Sequence, residues 1–157
     1  MNVSIHSRES IEALLREGLP PNTAIISFCD PITARTPKGY KPVDYSGVTN
    51  PVFQIAVHDI DLEILGEYNL SYDTYLPEAQ ALAAFIYGAF DDGMNILCQC
   101  EYGQSRSAAC AAAIVEHFYG KGISIFADYR YYPNQLVFHK VFDALENYRL
   151  IRKEVSV

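Results

Sequence analysis

Positive charge is in short supply in this 157-residue sequence: 12 Lys and Arg stand against 19 Asp and Glu, for a formal net charge of −7. That balance argues against a broad basic face for nucleic acid or an anionic membrane, while leaving room for a small local anion site. Cysteine is also sparse and oddly placed. Cys29, Cys98, Cys100 and Cys110 include no C-x-x-C pair, so neither a zinc site nor a dithiol redox motif is written here. A disulfide framework is equally unexpected in a chain long enough to bury its own core. The opening "MNVSIHSRES" lacks a charged-then-apolar leader pattern, and no apolar run approaches the length of a membrane span. Internal repeats and low-complexity tracts are absent as well. These absences leave one expectation: a single cytoplasmic domain over residues 1–157 with reduced thiols, no metal and no cofactor.

What is present alternates. "NVSIH", "TAIISFC", "PVFQIAV" and "MNILCQC" read as strands from their β-branched and aromatic content. Between them lie helical patterns. Ser7 caps the first, whose Ile11, Leu14 and Leu15 share a face. "TYLPEAQALAAFIYGAF" follows, with Asp73 as its cap. "RSAACAAAIVEHFY" is closed by Gly120, and "NQLVFHKVFDALENY" is capped by Asn134. Strands alternating with helices predict a three-layer α/β domain around a mostly parallel sheet. A loop rich in Pro and Gly, residues 30–50, carries Arg35, Lys38, Tyr40 and Lys41 and is long enough to border a site.

The chemistry concentrates in "CEYGQSRS", residues 100–107, which follows a strand and opens a helix. Cys100 and Arg106 at this spacing are weak evidence alone. Placed between a strand and a helix N-terminus, the loop aims backbone N–H groups and the positive end of the helix dipole at one point. Gly103 lets the loop curl into a nest of amides suited to a phosphate dianion. A sulfur facing that nest ionises readily. Arg106 adds a planar fork for two phosphoryl oxygens, and Ser105 and Ser107 offer hydroxyls within the loop or to the sulfur.

These eight residues resemble the phosphate-binding loop of the cysteine-dependent protein tyrosine phosphatases, most closely the compact dual-specificity branch, where Cys-x-x-Gly-x-Ser-Arg-Ser/Thr recurs. Cys100, Gly103, Ser105, Arg106 and Ser107 each match. The resemblance implies a metal-free phosphomonoester hydrolase with a phosphocysteine intermediate, acting on a phosphorylated protein or a small phosphomonoester. Cys100 is then the nucleophile, residues Glu101, Tyr102, Gly103, Gln104, Ser105 and Arg106 cradle the phosphate, and Ser107 assists breakdown of the thiophosphate. The family's general acid is an aspartate after an earlier strand. In "VHDID" Asp59 is the first choice and Asp61 the second, both expected on one side of an extended chain. Two residues depart from the pattern: Gln99 stands where most members have histidine, and Tyr102 replaces a small residue. With Gln99 in that place, the competing expectation is a phosphate- or phosphoprotein-binding module that does not turn over. Arsenate reductases and sulfurtransferases fit less well, by loop position and by the Ser-Arg-Ser ending respectively. In some relatives a second cysteine protects the nucleophile, which here points to Cys29 or Cys98.

Overall fold

The computed structural model describes residues 1–156. Four strands, β1 (Val3–His6), β2 (Thr23–Cys29), β3 (Val52–Ala56) and β4 (Asn95–Gln99), form a sheet in the order β1-β4-β2-β3 with every pairing parallel. Period-two alternation divides its residues between two cores. Ile25 and Leu97 point to one face and meet Ile11 of helix α1 (Arg8–Glu17) together with Val43 from the 30–50 loop. Ile26, Phe28, Ile55, Ile96 and Cys98 serve the opposite core, against α2 (Ala79–Asp91), α3 (Arg106–Tyr119) and α5 (Gln135–Val155). The three layers are unequal, since one is a single helix and a loop.

Helix α3 lies between the sheet and α5, and its composition explains how. Ala108, Ala109, Ala111, Ala112 and Ala113 are all fully buried. Small side chains let neighbouring backbones approach from both sides, and alanine has the highest helix propensity. Gly120 ends the helix at φ +65°. A short helix α4 (Ile123–Phe126) then leads to Asn134, whose side chain accepts from Val137 N and caps α5. Ser7 caps α1 in the same way, accepting from Ser10 N.

One boundary differs from the sequence reading. Helix α2 begins at Ala79 rather than Thr74, with Glu78 and not Asp73 at its N-cap. The reason is local. Pro77 bars the preceding residue from helical geometry, and Leu76 instead takes the left-handed region at φ +53°. The acidic stretch before it contains a 3-10 helix over Leu62–Tyr68, anchored by buried Leu65.

Strand order positions the site. Because β4 is inserted between β1 and β2, Gln99 is registered against both His6 and Ser27. Residue 100 therefore leaves the sheet at its centre, beyond the carboxyl ends of three neighbouring strands, where open α/β sheets bind ligands.

Candidate active site

Gln99 sets the first constraint on the loop. The side chain is buried, with its Oε1 accepting from Ser27 Oγ at 2.6 Å and Tyr45 Oη at 2.7 Å. Its Nε2 donates to Cys100 O at 2.9 Å. A neutral amide thus ties the carbonyl of the candidate nucleophile to two side chains on β2 and the 30–50 loop. Neither Ser27 nor Tyr45 carries a sequence signal that marks it as part of a site.

The loop then packs on the β1–α1 junction. Cys100 N donates to His6 O at 3.2 Å, and Glu101 O accepts from Arg8 N at 3.0 Å. Gly103 sits at φ +68°, and a Cβ there would fall 2.6 Å from Ser7 N and 2.8 Å from His6 C. Only glycine meets both demands. On the other side Gln104 O accepts from Tyr132 N at 2.8 Å and Ser105 O accepts from Asn134 N at 3.2 Å. With its carbonyls held outward in this way, the backbone N–H groups from Glu101 to Arg106 are left without a protein acceptor among the described residues. Successive unpaired amides curled around one point form an anion nest at the start of α3.

Cys100 and Arg106 share that concavity. A pocket of about 270 Å³ is lined by Asp59, Cys100, Tyr102, Gln104, Ser105, Arg106 and Tyr132. Cys100 is buried at its floor, with Sγ 3.0 Å from Ser107 Oγ. Arg106 is 4% exposed, and its Nη1 donates to Asp30 Oδ1 at 2.7 Å and to Val57 O at 2.8 Å. Its Nε is buried without a partner, and Nη2 makes no hydrogen bond among the described residues. A buried orphan donor on a charged group is costly unless a ligand satisfies it. The free edge, Nε with Nη2, is one that can take two oxygens of a tetrahedral anion side by side. Burial works against the guanidinium charge, but Asp30 foremost outweighs it and holds the group above its ordinary value. Asp30, at the end of β2, is thus a member of the site that sequence reading missed; its nearest signal is its place at a strand's carboxyl end.

Asp59 is held over the pocket by α5. Its Oδ1 accepts from Ser105 Oγ at 2.7 Å and from Asn134 Nδ2 at 2.8 Å. Asn134 Nδ2 also reaches Ile60 O at 3.0 Å, and Tyr75 Oη donates to His58 O at 2.6 Å. Asn134, expected only as a helix cap, therefore fixes the aspartate as well. Asp61 does not share this pocket, and it lines a separate one with Glu63, Tyr72 and His139. The turn into the 3-10 helix separates the two carboxylates that an extended chain would have aligned. Glu101 likewise turns away, with its carboxylate 3.6 Å from Arg8 Nη1, so only its backbone faces the nest. Tyr102 and Tyr132, 80% and 74% exposed, border the mouth.

The remaining cysteines are free and buried. The neighbouring Cys110 on α3 and complete burial push the Cys98 thiol well above its ordinary value. Burial also raises Cys29, while Arg106 pulls the other way. His58 is shifted down, chiefly by burial. Among the described residues no group of three or more His, Cys, Asp or Glu could hold a metal, and no helix is long and apolar enough to cross a membrane.

No protein-family model and no curated protein matches this chain. Solved structures do. Human DUSP28 superposes with a TM-score of 0.57 at 15% identity, covering 94% of both chains. The human tyrosine phosphatase-like serine/threonine/tyrosine-interacting protein gives 0.53 at 21% identity, over 93% of this chain and 86% of that one. The Cydia pomonella PTP-2 phosphatase gives 0.53 at 11%, over 91% and 85%. At these identities the likeness is one of fold.

Proposed function

We propose that this chain, which has the fold of the cysteine-dependent tyrosine and dual-specificity phosphatases, is itself a metal-independent phosphomonoester hydrolase. The observation that carries this reading is the shared pocket: a buried Cys100 sulfur, the unpaired edge of Arg106 and the Asp59 carboxylate all border about 270 Å³. A structural role for these residues does not account for a buried guanidinium nitrogen without a partner beside free backbone amides.

The chemistry follows from the positions. The phosphoryl group sits in the nest with two oxygens on Arg106 Nε and Nη2, which bind more tightly as charge moves onto those oxygens. The Cys100 thiolate attacks phosphorus in line as the P–O bond to the leaving group breaks, and the protonated Asp59 carboxyl supplies the departing oxygen with its proton. A water then attacks the phosphocysteine. Asp59, now ionised, takes the water's proton, the P–S bond breaks, and the leaving sulfur is met by the Ser107 hydroxyl. Products are the alcohol or phenol and inorganic phosphate.

Purified protein assayed on phenyl phosphate with EDTA and reductant tests the assignment. Cys100→Ser abolishes turnover, Asp59→Asn lowers kcat by about 100-fold, and Asp61→Asn stays near wild type. Equal losses in the two aspartate variants would contradict it.

A second reading is a binding module, favoured by one feature of the comparisons: a structure with this fold carries the name of an interacting protein. Phosphate binding by wild type and by Cys100→Ser without turnover in either would select it.

A further inference from the structure

We infer that Tyr102 and Tyr132 are aromatic walls at the mouth of the candidate active site that select aryl phosphomonoesters, so that the preferred substrate is phosphotyrosine rather than phosphoserine or phosphothreonine. This rests on the phosphatase reading above and narrows it to one class of ester, where resemblance to the dual-specificity branch leaves both open.

Seven aromatic side chains are exposed among the described residues, and they fall into two groups. Tyr72, Phe90, Tyr119 and Phe126 are between 36% and 43% exposed, and each rests on a neighbour. Lys140 lies over Tyr72, Phe118 meets Phe90 and Tyr119, and Phe138 meets Phe126. Tyr102, Tyr129 and Tyr132 are between 74% and 97% exposed. Among the described residues none of these three rings meets another ring or a cation, and none of their hydroxyls is hydrogen-bonded. A lone exposed ring is ordinary. Two that converge on one concavity are not: Tyr102 and Tyr132 line the same pocket as Cys100 and Arg106, whereas Tyr129 does not. They add an apolar rim to a polar floor, which is the composition of a ligand site.

The two rings come from different parts of the chain and stand on held backbone. Tyr102 is in the loop after β4, on the side of α1, since it also borders a cavity with Ser7 and Arg8. Its neighbours fix it there: Glu101 O accepts from Arg8 N, and Gly103 packs on His6 and Ser7. Tyr132 belongs to the connection before α5. Its N–H donates to Gln104 O at 2.8 Å, and Asn134 N donates to Ser105 O at 3.2 Å, which ties that connection to the same loop. A tyrosine has only two side-chain torsions to fix, so such a ring gives up little freedom when a ligand arrives.

Floor and rim then read different parts of the substrate. The phosphoryl group occupies the amide nest and the free edge of Arg106, above the buried Cys100. The carbon on the bridging oxygen is the next atom toward solvent, at the level of Tyr102 and Tyr132. In phosphotyrosine that carbon belongs to a ring, which packs offset or edge-on against the walls. In phosphoserine it is one methylene with the peptide backbone close behind it. That ester gains no stacking, and the two protruding side chains hold its backbone away from the floor.

The experiment measures kcat/KM on two peptides of identical flanking sequence, one carrying phosphotyrosine and the other phosphoserine. A phenol leaves more easily than an alcohol in every variant, so the readout is the change in their ratio from wild type. Each ring is expected to contribute about threefold to tenfold. Tyr102→Ala and Tyr132→Ala each lower the ratio by that factor, and the double variant lowers it further. The loss falls on KM rather than kcat, because the substrate ring is gripped alike before and during reaction. Tyr102→Phe and Tyr132→Phe recover what alanine loses, and Tyr129→Ala, on an exposed ring outside the pocket, keeps the wild-type ratio. An unchanged ratio in the double variant, or equal losses with phenylalanine and alanine, overturns the walls while leaving the phosphatase reading intact. So does faster turnover of a nucleoside monophosphate or an inositol phosphate than of the phosphotyrosine peptide. If no phosphomonoester is turned over, the phosphatase reading fails. Fluorescence anisotropy on Cys100→Ser then decides the walls separately. Equal affinity for the two peptides rejects them, and tighter phosphotyrosine binding that is lost with Tyr102→Ala/Tyr132→Ala supports them.

Discussion

Replacing Gly103 by alanine perturbs the loop at its tightest point without touching any reacting group. At φ +68° an L-residue gives up about 1–2 kcal/mol relative to glycine. The added Cβ also meets Ser7 N at 2.6 Å and His6 C at 2.8 Å, where ordinary contact begins near 3.4 Å. The shortfall is 3.4 − 2.6 = 0.8 Å, and both obstructing atoms are backbone, so no side-chain rotation relieves it. Overpacking of this kind costs about 1–3 kcal/mol, and the sum is about 2–5 kcal/mol. For a domain of this size that lowers Tm by roughly 2–4 °C per kcal/mol. The loop that escapes by 0.8 Å also carries Cys100 away from Arg106, and a displacement of about 1 Å costs on the order of 100-fold in rate. Thermal unfolding and phenyl phosphate kinetics on the same preparation read both effects. A Gly103→Ala protein with wild-type Tm and turnover would refute the reasoning, because neither the backbone collision nor the conformational demand would then exist.

Gln99→Leu leaves the Ser27 and Tyr45 hydroxyls and the Cys100 carbonyl without their shared partner; urea denaturation should show a loss of about 2–4 kcal/mol, and an unchanged midpoint would mean the network is dispensable. Brief alkylation near neutral pH should label Cys100 and spare Cys98, whose thiol burial and Cys110 hold well above its ordinary value; equal labelling in native protein would contradict the packing. Tyr45 is pushed up to about 12, mainly by burial, from an ordinary value of 10. Its folded pKa exceeds its unfolded one, so the stability it contributes is complete below pH 10 and is lost as pH rises toward about 12. Unfolding free energy measured across that window should fall, and Tyr45→Phe should flatten the fall.

Much of the sheet was legible because its strands are short β-branched runs between turn residues, and period two then assigns their faces. Caps at Ser7 and Asn134 announced two helices by side-chain chemistry alone. The start of α2 was misread for a physical reason: composition reports helix propensity through Thr74–Glu78, while the restraint of Pro77 on Leu76 is a backbone effect. The loop from Cys100 to Ser107 was legible because cysteine, glycine, arginine and hydroxyls fall within eight consecutive residues. Partners that arrive from other elements were not. Asp30 reaches Arg106 across 76 positions, Asn134 reaches Asp59 across 75, and Gln99 is held from Ser27 and Tyr45. Such pairs are set by strand order, and β4 lying between β1 and β2 is a tertiary fact that no local pattern encodes. The resemblance alone ranked Asp59 above Asp61, while the 3-10 turn that parts two residues whose spacing would align them in a strand is not written in any local pattern.

The most direct test of the central claim is to quench the protein in acid during turnover of an aryl phosphate and map the phosphoryl group by peptide mass spectrometry. Attack by sulfur predicts phosphate on Cys100, accumulating further in Ser107→Ala as departure of the thiolate slows. Steady turnover in EDTA with no phosphate on Cys100, or retained activity in Cys100→Ser, would contradict it.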